Sequence, residues 1–318
     1  MIHPLADMVE IIRYEEKYKN EWNNLIDASK NGTFLINRNY MDYHSTRFID
    51  FSLLIYQRGR LVAVFPANLK NDVIYSHQGL TYGGLIYTNL LTTKDILLIF
   101  MSIKNHYRDN NVQKIIYKAV PYIYTTYPAQ EDLYALFGND ARLIGCNMSS
   151  TVLLNNRLRF TESRICGIRK AGRKNLTCIQ SNDYKSFWSL LTLNLETKYN
   201  VKPVHSLQEI EYLHHIFPEN IKLFEVKEDE KVIAGTVLYI SKKVVHTQYI
   251  AASPEGKELG ALDMLFDFLI NKEFAHYDYF DFGQSTEHEG VVLNENLIFQ
   301  KEGFGGRGVV YEVYEFQT

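Results

Sequence analysis

The sequence predicts an α+β protein of two tandem domains, each a mixed β-sheet flanked by helices. Three observations carry this. The chain has 318 residues, more than one ordinary hydrophobic core needs. RLVAVFPANLKNDVIYSHQGLTYGG, from Arg60, lies on KVIAGTVLYISKKVVHTQYIAASPEG, from Lys231, without a gap, and the order of apolar and polar positions agrees. Each half then continues from its strands into an apolar-periodic helix and one further strand. That order makes a mixed sheet with a helical crossover.

The elements follow in order. FSLLIYQ from Phe51 and IKLFEVK from Ile221 read as the strands that precede the two matched segments. LKND and ISKK are the polar turns inside them. In the first half, Thr92 and Asp95 form a capping box for a helix from Lys94 to Tyr107. In the second, Leu262, Leu265, Phe266 and Leu269 line one face of a helix from Leu259 to Phe274. KIIYKAV from Lys114 and YDYFDFG from Tyr277 are the closing strands. Between the halves, Thr151–Leu154 reads as a strand and Phe160–Lys174 as a basic helix. Asp183 caps the next helix, and Ser206–Glu209 is a capping box for another. The boundary falls near Leu154, giving domains 1–154 and 155–318.

Bulk composition narrows the function classes. Hydrophobic content of 46% and charged content of 22% suit a soluble globular protein. A net charge of -3 provides no global field for DNA. Cys146, Cys166 and Cys178 are odd in number and form no CxxC pair, so reduced thiols and a cytoplasmic location are expected, with no metal site. MIHPLADMVEIIRYEEKYKNEW shows no basic stretch followed by an apolar core, so no leader peptide is expected. ILLIFM is far short of the ~20 apolar residues that span a bilayer.

Several runs resemble one family. RICGIRKAGRKNLTC, Arg164–Cys178, resembles the opening of the C-terminal domain in FemAB-like (FemABX) proteins, tandem members of the GNAT acyltransferase superfamily. DFGQSTEHEGVVLNENLIFQKEGFGG, Asp281–Gly306, resembles that family's DFG strand end and its FK helix and turn. QGLTYGGLIY, which contains Tyr82, is similar to an aromatic segment of its first domain. The resemblance implies two tandem GNAT-like domains and acyl transfer to an amine, without a covalent enzyme intermediate. The chain has no GxSxG elbow, which agrees. The implied donor is acetyl-CoA or another acyl-CoA, with aminoacyl-tRNA as the alternative. The implied acceptor is an amine on a small molecule or a glycan precursor of the cell envelope. A non-catalytic GNAT-like binding module is the reading from a different class.

Direct aminolysis needs a held donor, hydrogen-bond donors for the oxyanion and a proton acceptor. For the donor, the resemblance points to Lys257, Gly260 and Ala261, although Leu262 stands where the phosphate-loop pattern wants a small residue. The same residues also read as a plain helix start with turn glycines. By the same carry-over, the backbone of Gln248, Tyr249, Ile250 and Ala251 supplies the oxyanion donor. On a regular strand His246, Gln248 and Ile250 share one face. The base candidates are His246, Glu287, His288 and Glu289, set against the reading of EHE as a solvated loop. Ser285 opens that loop beside the substrate. Lys301 is the match to the FK lysine and shares a helix face with Asn294, while Arg307 follows the turn glycines. The plain alternative for Lys301 is charge pairing with the helix macrodipole.

Arg169, Lys170, Arg173 and Lys174 form a patch with i, i+4 neighbours, suited to a nucleotide-linked sugar or a tRNA end and equally to a solvated face. If the patch binds phosphate, Arg169→Ala combined with Arg173→Ala raises KM for a phosphate-bearing substrate and flattens its salt dependence. Unchanged KM and salt slope in steady-state assays would assign the helix to solvent.

Overall fold

The computed structural model describes residues 9–318, so the first eight residues of the stretch read for a leader peptide lie outside the described residues. The chain divides into two units. One runs to Asn147 and takes in His288–Val291 and Val310–Thr318; the other comprises Met148–Glu287 and Val292–Val309.

The first unit contains β1 (Val9–Arg13), α1 (Lys19–Ala28), α2 (Arg38–Met41), β2 (Ile49–Asp50), β3 (Leu53–Gln57), β4 (Arg60–Phe65), β5 (Asn68–Lys70), β6 (Val73–Tyr75), β7 (Ile86–Tyr87), α3 (Thr93–Asp109), β8 (Lys114–Lys118) and α4 (Glu131–Phe137). Turn chemistry sets its hairpins. Arg58 and Gly59 at φ 53° and 70°, and Asn71 and Asp72 at φ 50° and 57°, give both central residues the left-handed twist of two-residue turns. The strand expected after Arg60 is shorter than its partner in the second half. Pro66 has no N–H to donate, so β4 ends at Phe65 and β5 begins at Asn68. β4 pairs with β3 and β7, whereas β5 pairs with β2 and β6. The capping box at Thr92 and Asp95 opens α3. Its face Ile96, Ile99, Phe100, Ile103 and Tyr107 is buried in the core of this unit.

The remaining elements are β9 (Arg142–Leu153), α5 (Glu162–Gly172), β10 (Thr177–Ser181), α6 (Tyr184–Tyr199), α7 (Leu207–Ile216), β11 (Ile221–Glu228), β12 (Lys231–Ile240), β13 (Val244–Ala252), α8 (Pro254–Leu259), α9 (Ala261–Phe268), β14 (Tyr279–Gln284), β15 (Thr286–Glu287), β16 (Val292–Leu293), α10 (Glu295–Glu302) and β17 (Arg307–Gln317). In the second unit the sheet runs β10-β11-β12-β13-β14-β9. All its pairs are antiparallel except β13 with β14, which is parallel. Asp183 caps α6, and the Ser206–Glu209 capping box opens α7. The end of the chain, Val313–Gln317, pairs with β8 in the first unit.

The helix expected over 259–274 is interrupted. Gly260 takes φ +76°, ends α8 and begins α9, and the last turn widens to a π-helix over Leu269–Glu273. The break also serves packing. A Cβ on Gly260 would lie 2.4 Å from the Gly167 carbonyl oxygen of α5. Both the backbone conformation and the close approach of the two helices therefore require glycine. Gly260→Ala is expected to destabilise the protein by ~1–3 kcal/mol, read as a lower midpoint of chemical unfolding with unchanged slope.

Candidate active site

The site begins where β13 and β14 part. Their parallel pairing covers Val244↔Tyr279, Val245↔Phe280 and His246↔Asp281, and stops there. Beyond that point both strands continue apart. On its other side β13 carries a bulge: Thr247 faces Leu238 and Tyr249 faces Val237, leaving Gln248 without a register partner. The regular alternation assumed for His246, Gln248 and Ile250 is therefore interrupted at Gln248. Bulges of this kind re-aim side chains beside active sites.

A cleft of about 610 Å³ opens at the parting, entirely within the second unit. Its floor is Ile250, Ala251 and Ala252 of β13 with Phe282 of β14. Apolar side chains of α6 and α9, including Leu191, Leu195, Leu262 and Phe266, form the walls. Asn194 fastens α6 there by donating to the Ala252 carbonyl at 2.9 Å. Leu297, Gln300 and Lys301 of α10 close another side, with Phe304 of the following turn. The cations on the lining are Arg164, Lys198, Lys257 and Lys301. Arg164 is held by Asp263, at 2.6 Å from Nη1 to Oδ1, and lies over the Phe304 ring.

Lys301 is the central group. It is only 5% exposed. Its Nζ donates to the Gly283 carbonyl at 2.8 Å, the Gln284 carbonyl at 2.8 Å and Ser285 Oγ at 2.9 Å. All three ammonium donors thus bind the chain as it leaves β14. Burial pushes the Lys301 ammonium down to about 8, while the Asp281 carboxylate pulls the other way. Asp281 is fully buried and accepts from His246 Nδ1 at 2.8 Å, Ser149 Oγ at 2.5 Å and Thr151 Oγ1 at 2.8 Å. Burial alone would raise its carboxyl; these hydrogen bonds overcome that and hold it at about 2. Among the described residues no cluster of metal-ligating side chains occurs.

The other residues singled out from sequence take varied places. Lys257 and Ile250 line the cleft with Lys301. Gly260 and Ala261 are buried behind it: the Gly260 N–H caps α8, and Ala261 belongs to the core of the unit. Tyr249 turns to His205, whose backbone N–H donates to its hydroxyl at 3.3 Å, and packs edge-on against Trp188. Asn294 caps α10 by accepting from the Leu297 N–H, and its side chain reaches Glu287 at 3.4 Å. Ser285 is buried against Lys301. Glu287 and His288 are exposed, and His288 groups with the first unit. Arg169, Lys170 and Arg173 are exposed at the C-terminal end of α5. Arg307 is exposed and donates to the Gly306 carbonyl. Tyr82 is buried in the first unit, hydrogen-bonded to Thr33 and tilted against Tyr124.

Asp281 and its hydroxyl partners Ser149 and Thr151 were missed by sequence reasoning. The signal was present in Asp281 itself: a carboxylate between two phenylalanines of a closing strand is a charge at a core position, which needs partners. Nothing in the sequence says that the partners lie on β9.

Residues 169–289 match the acetyltransferase (GNAT) domain family. No curated protein matches the chain. Among solved structures, FemX shares 13% identity with a TM-score of 0.68, over 97% of each chain. The C-terminal domain of a putative lysylphosphatidylglycerol synthetase from Agrobacterium fabrum shares 10% identity with a TM-score of 0.61, over 95% of this chain and 92% of that one. L-PGS from Bacillus licheniformis shares 11% identity with a TM-score of 0.57, over 83% of each. Residues 169–289 thus carry the match to a GNAT domain, and the fold of the chain is similar to that of FemX.

The Lys301 cage has a pH signature. The group ionises near 8 when folded and near 10.5 when unfolded, so between these values the unfolded chain holds a proton the folded one has released. Stability contributed at this position therefore rises with pH across that window. The stability difference between wild type and Lys301→Met is expected to move in favour of wild type from pH 8 to pH 10.5. A flat difference in denaturant titrations would show the ammonium to be unperturbed.

Proposed function

We propose that this GNAT acyltransferase moves an acyl group from acyl-CoA, acetyl-CoA included, to the amine of a cell-envelope or other glycan-linked acceptor. The supporting observation is the cleft at the parting of β13 and β14, apolar within and bordered by cations. An acyl chain and its apolar arm suit the leucine and phenylalanine walls, and a pyrophosphate suits Lys257 and Arg164. The acyl carbonyl lies against β13, where the backbone from Gln248 to Ala251 supplies the oxyanion donor. Lys301 acts as a fixed positive charge on the wall, since its donors are committed to the chain.

One observation favours aminoacyl-tRNA as the donor instead. The segment expected to cradle pyrophosphate is the short helix α8, and the Gly260 N–H is spent on its cap. A donor that presents an aminoacyl ester, with its phosphates farther along a tRNA end, needs no such loop. The exposed cations Arg169, Lys170 and Arg173 suit that longer polyanion. The fold shared with a protein named for lysylphosphatidylglycerol synthesis is in keeping with this reading.

Differential unfolding with CoA, acetyl-CoA and charged tRNA tests both. The true donor, at 100-fold over its Kd, is expected to stabilise the protein by ~2.7 kcal/mol. A shift with acetyl-CoA that Lys257→Glu diminishes supports the first donor. A shift with charged tRNA alone selects the second. No shift with any of them favours a binding module without catalysis.

A further inference from the structure

We infer that His246 is the proton acceptor of the transfer and that Asp281, with Ser149 and Thr151, is the device that positions it. This rests on the acyl-transfer reading and deepens it. Aminolysis leaves four base candidates from the sequence, and geometry separates them. Glu287, His288 and Glu289 are exposed, and the Glu287 carboxylate accepts from Asn294 at 3.4 Å. His246 stands at the last paired position of β13 and β14, with its side chain 14% exposed. Its Nδ1 lies 2.8 Å from Asp281 Oδ2.

The far edge of the ring is placed just as definitely. Gly283 takes φ +72°, and a Cβ there would lie 3.1 Å from His246 Cε1 and 3.7 Å from Nε2. The Cε1–Nε2 edge therefore lies over the Gly283 peptide. That same peptide offers its carbonyl to Lys301, and the residue before it, Phe282, lines the cleft. The imidazole thus runs from a buried carboxylate to the Gly283 peptide, one residue from the cleft-lining Phe282.

The carboxylate itself is over-determined. Thr151 is its register partner on β9, and Ser149 lies two residues away. Both donate to Asp281 Oδ1, which leaves Oδ2 for the histidine. An anion that accepts at Oδ2 requires the neutral ring to carry its proton on Nδ1, so Nε2 holds the lone pair. A hydrogen bond to one ring nitrogen sets the role of the other, as in hydrolase triads, but here there is no nucleophilic serine. The charged groups facing this pair are Asp281 from β14 and Lys301 from α10.

In the step assigned to it, the neutral amine attacks the acyl carbon and its electron pair becomes the C–N bond. The tetrahedral adduct gives its extra N–H proton to Nε2. As the adduct collapses, the C–S or C–O bond pair leaves with the thiolate or ribose oxygen, and the imidazolium returns the proton to it. The products are the amide and the protonated leaving group.

Two measurements test this on the full chain. Nitrogen-15 histidine spectra, assigned by the loss of one signal among the 10 histidines in His246→Gln, are expected to show the neutral His246 ring protonated at Nδ1. A ring protonated at Nε2 overturns the proposal. This readout needs neither a known donor nor a variant at a buried position. In assays with the donor identified by stabilisation, Asp281→Asn is expected to lower kcat ~10²–10⁴-fold with KM for the donor unchanged. Thr151→Val, which keeps the carboxylate and guards against a misfolded Asn variant, lowers kcat less. Unchanged kcat in Asp281→Asn overturns the role. If wild type turns over no donor, the acyl-transfer reading falls, while the tautomer still decides whether the positioning device exists.

Discussion

Parallel pairing between β13 and β14 lasts for three register pairs and then ends. The second unit is organised around that ending. Two strands that part expose backbone groups which water or side chains must satisfy. Lys301 reaches in from α10 and binds two successive carbonyls and a hydroxyl just past the break. Its ammonium thereby ties α10 to the sheet and holds the cleft open between them. The apolar floor and walls follow, because the parting leaves Ile250 and Phe282 facing space instead of each other's strand.

Two buried charges of opposite sign flank this break, and they are stabilised differently. Asp281 has three hydrogen-bond donors and remains an anion at a fully buried position. Lys301 has only neutral acceptors around its nitrogen, so burial weakens its hold on the proton. A buried charge is tolerated when its hydrogen bonds are complete. Both groups meet that condition, at the cost of immobilising β9, β13, β14 and α10 in one arrangement. A reacting carbonyl needs such rigidity, since electrostatic stabilisation depends on groups that are already oriented.

Legibility varied with the range of the interaction. Caps were readable because they close within one helical turn: Thr92 with Asp95, Asp183 with Ser186, and Ser206 with Glu209 all occur as expected. The matched halves were readable in their hairpins but not in their sheets. Pro66 stops β4, while the corresponding β12 runs on for ten residues and carries the core of its unit. Gly260 was legible as a turn glycine at a helix start, but its contact with Gly167 of α5 was not, since that partner lies on another helix. Lys301 was legible as a residue of interest from its helix face and the turn behind it. Its three acceptors were not, since they lie sixteen to eighteen positions earlier.

Periodicity, turn residues and caps in the sequence alone determined an α+β protein with paired hairpins, a basic helix and a lysine at the end of α10. These features depend on neighbours within a few residues, so local chemistry was sufficient. Only the tertiary structure decided where β13 and β14 separate, which hydroxyls meet Asp281, and which residues face the cleft. Ser149 and Thr151 lie more than 125 residues from the carboxylate they satisfy. No local pattern encodes that meeting; it arises when the sheet closes β9 against β14 and a buried charge must find its donors there.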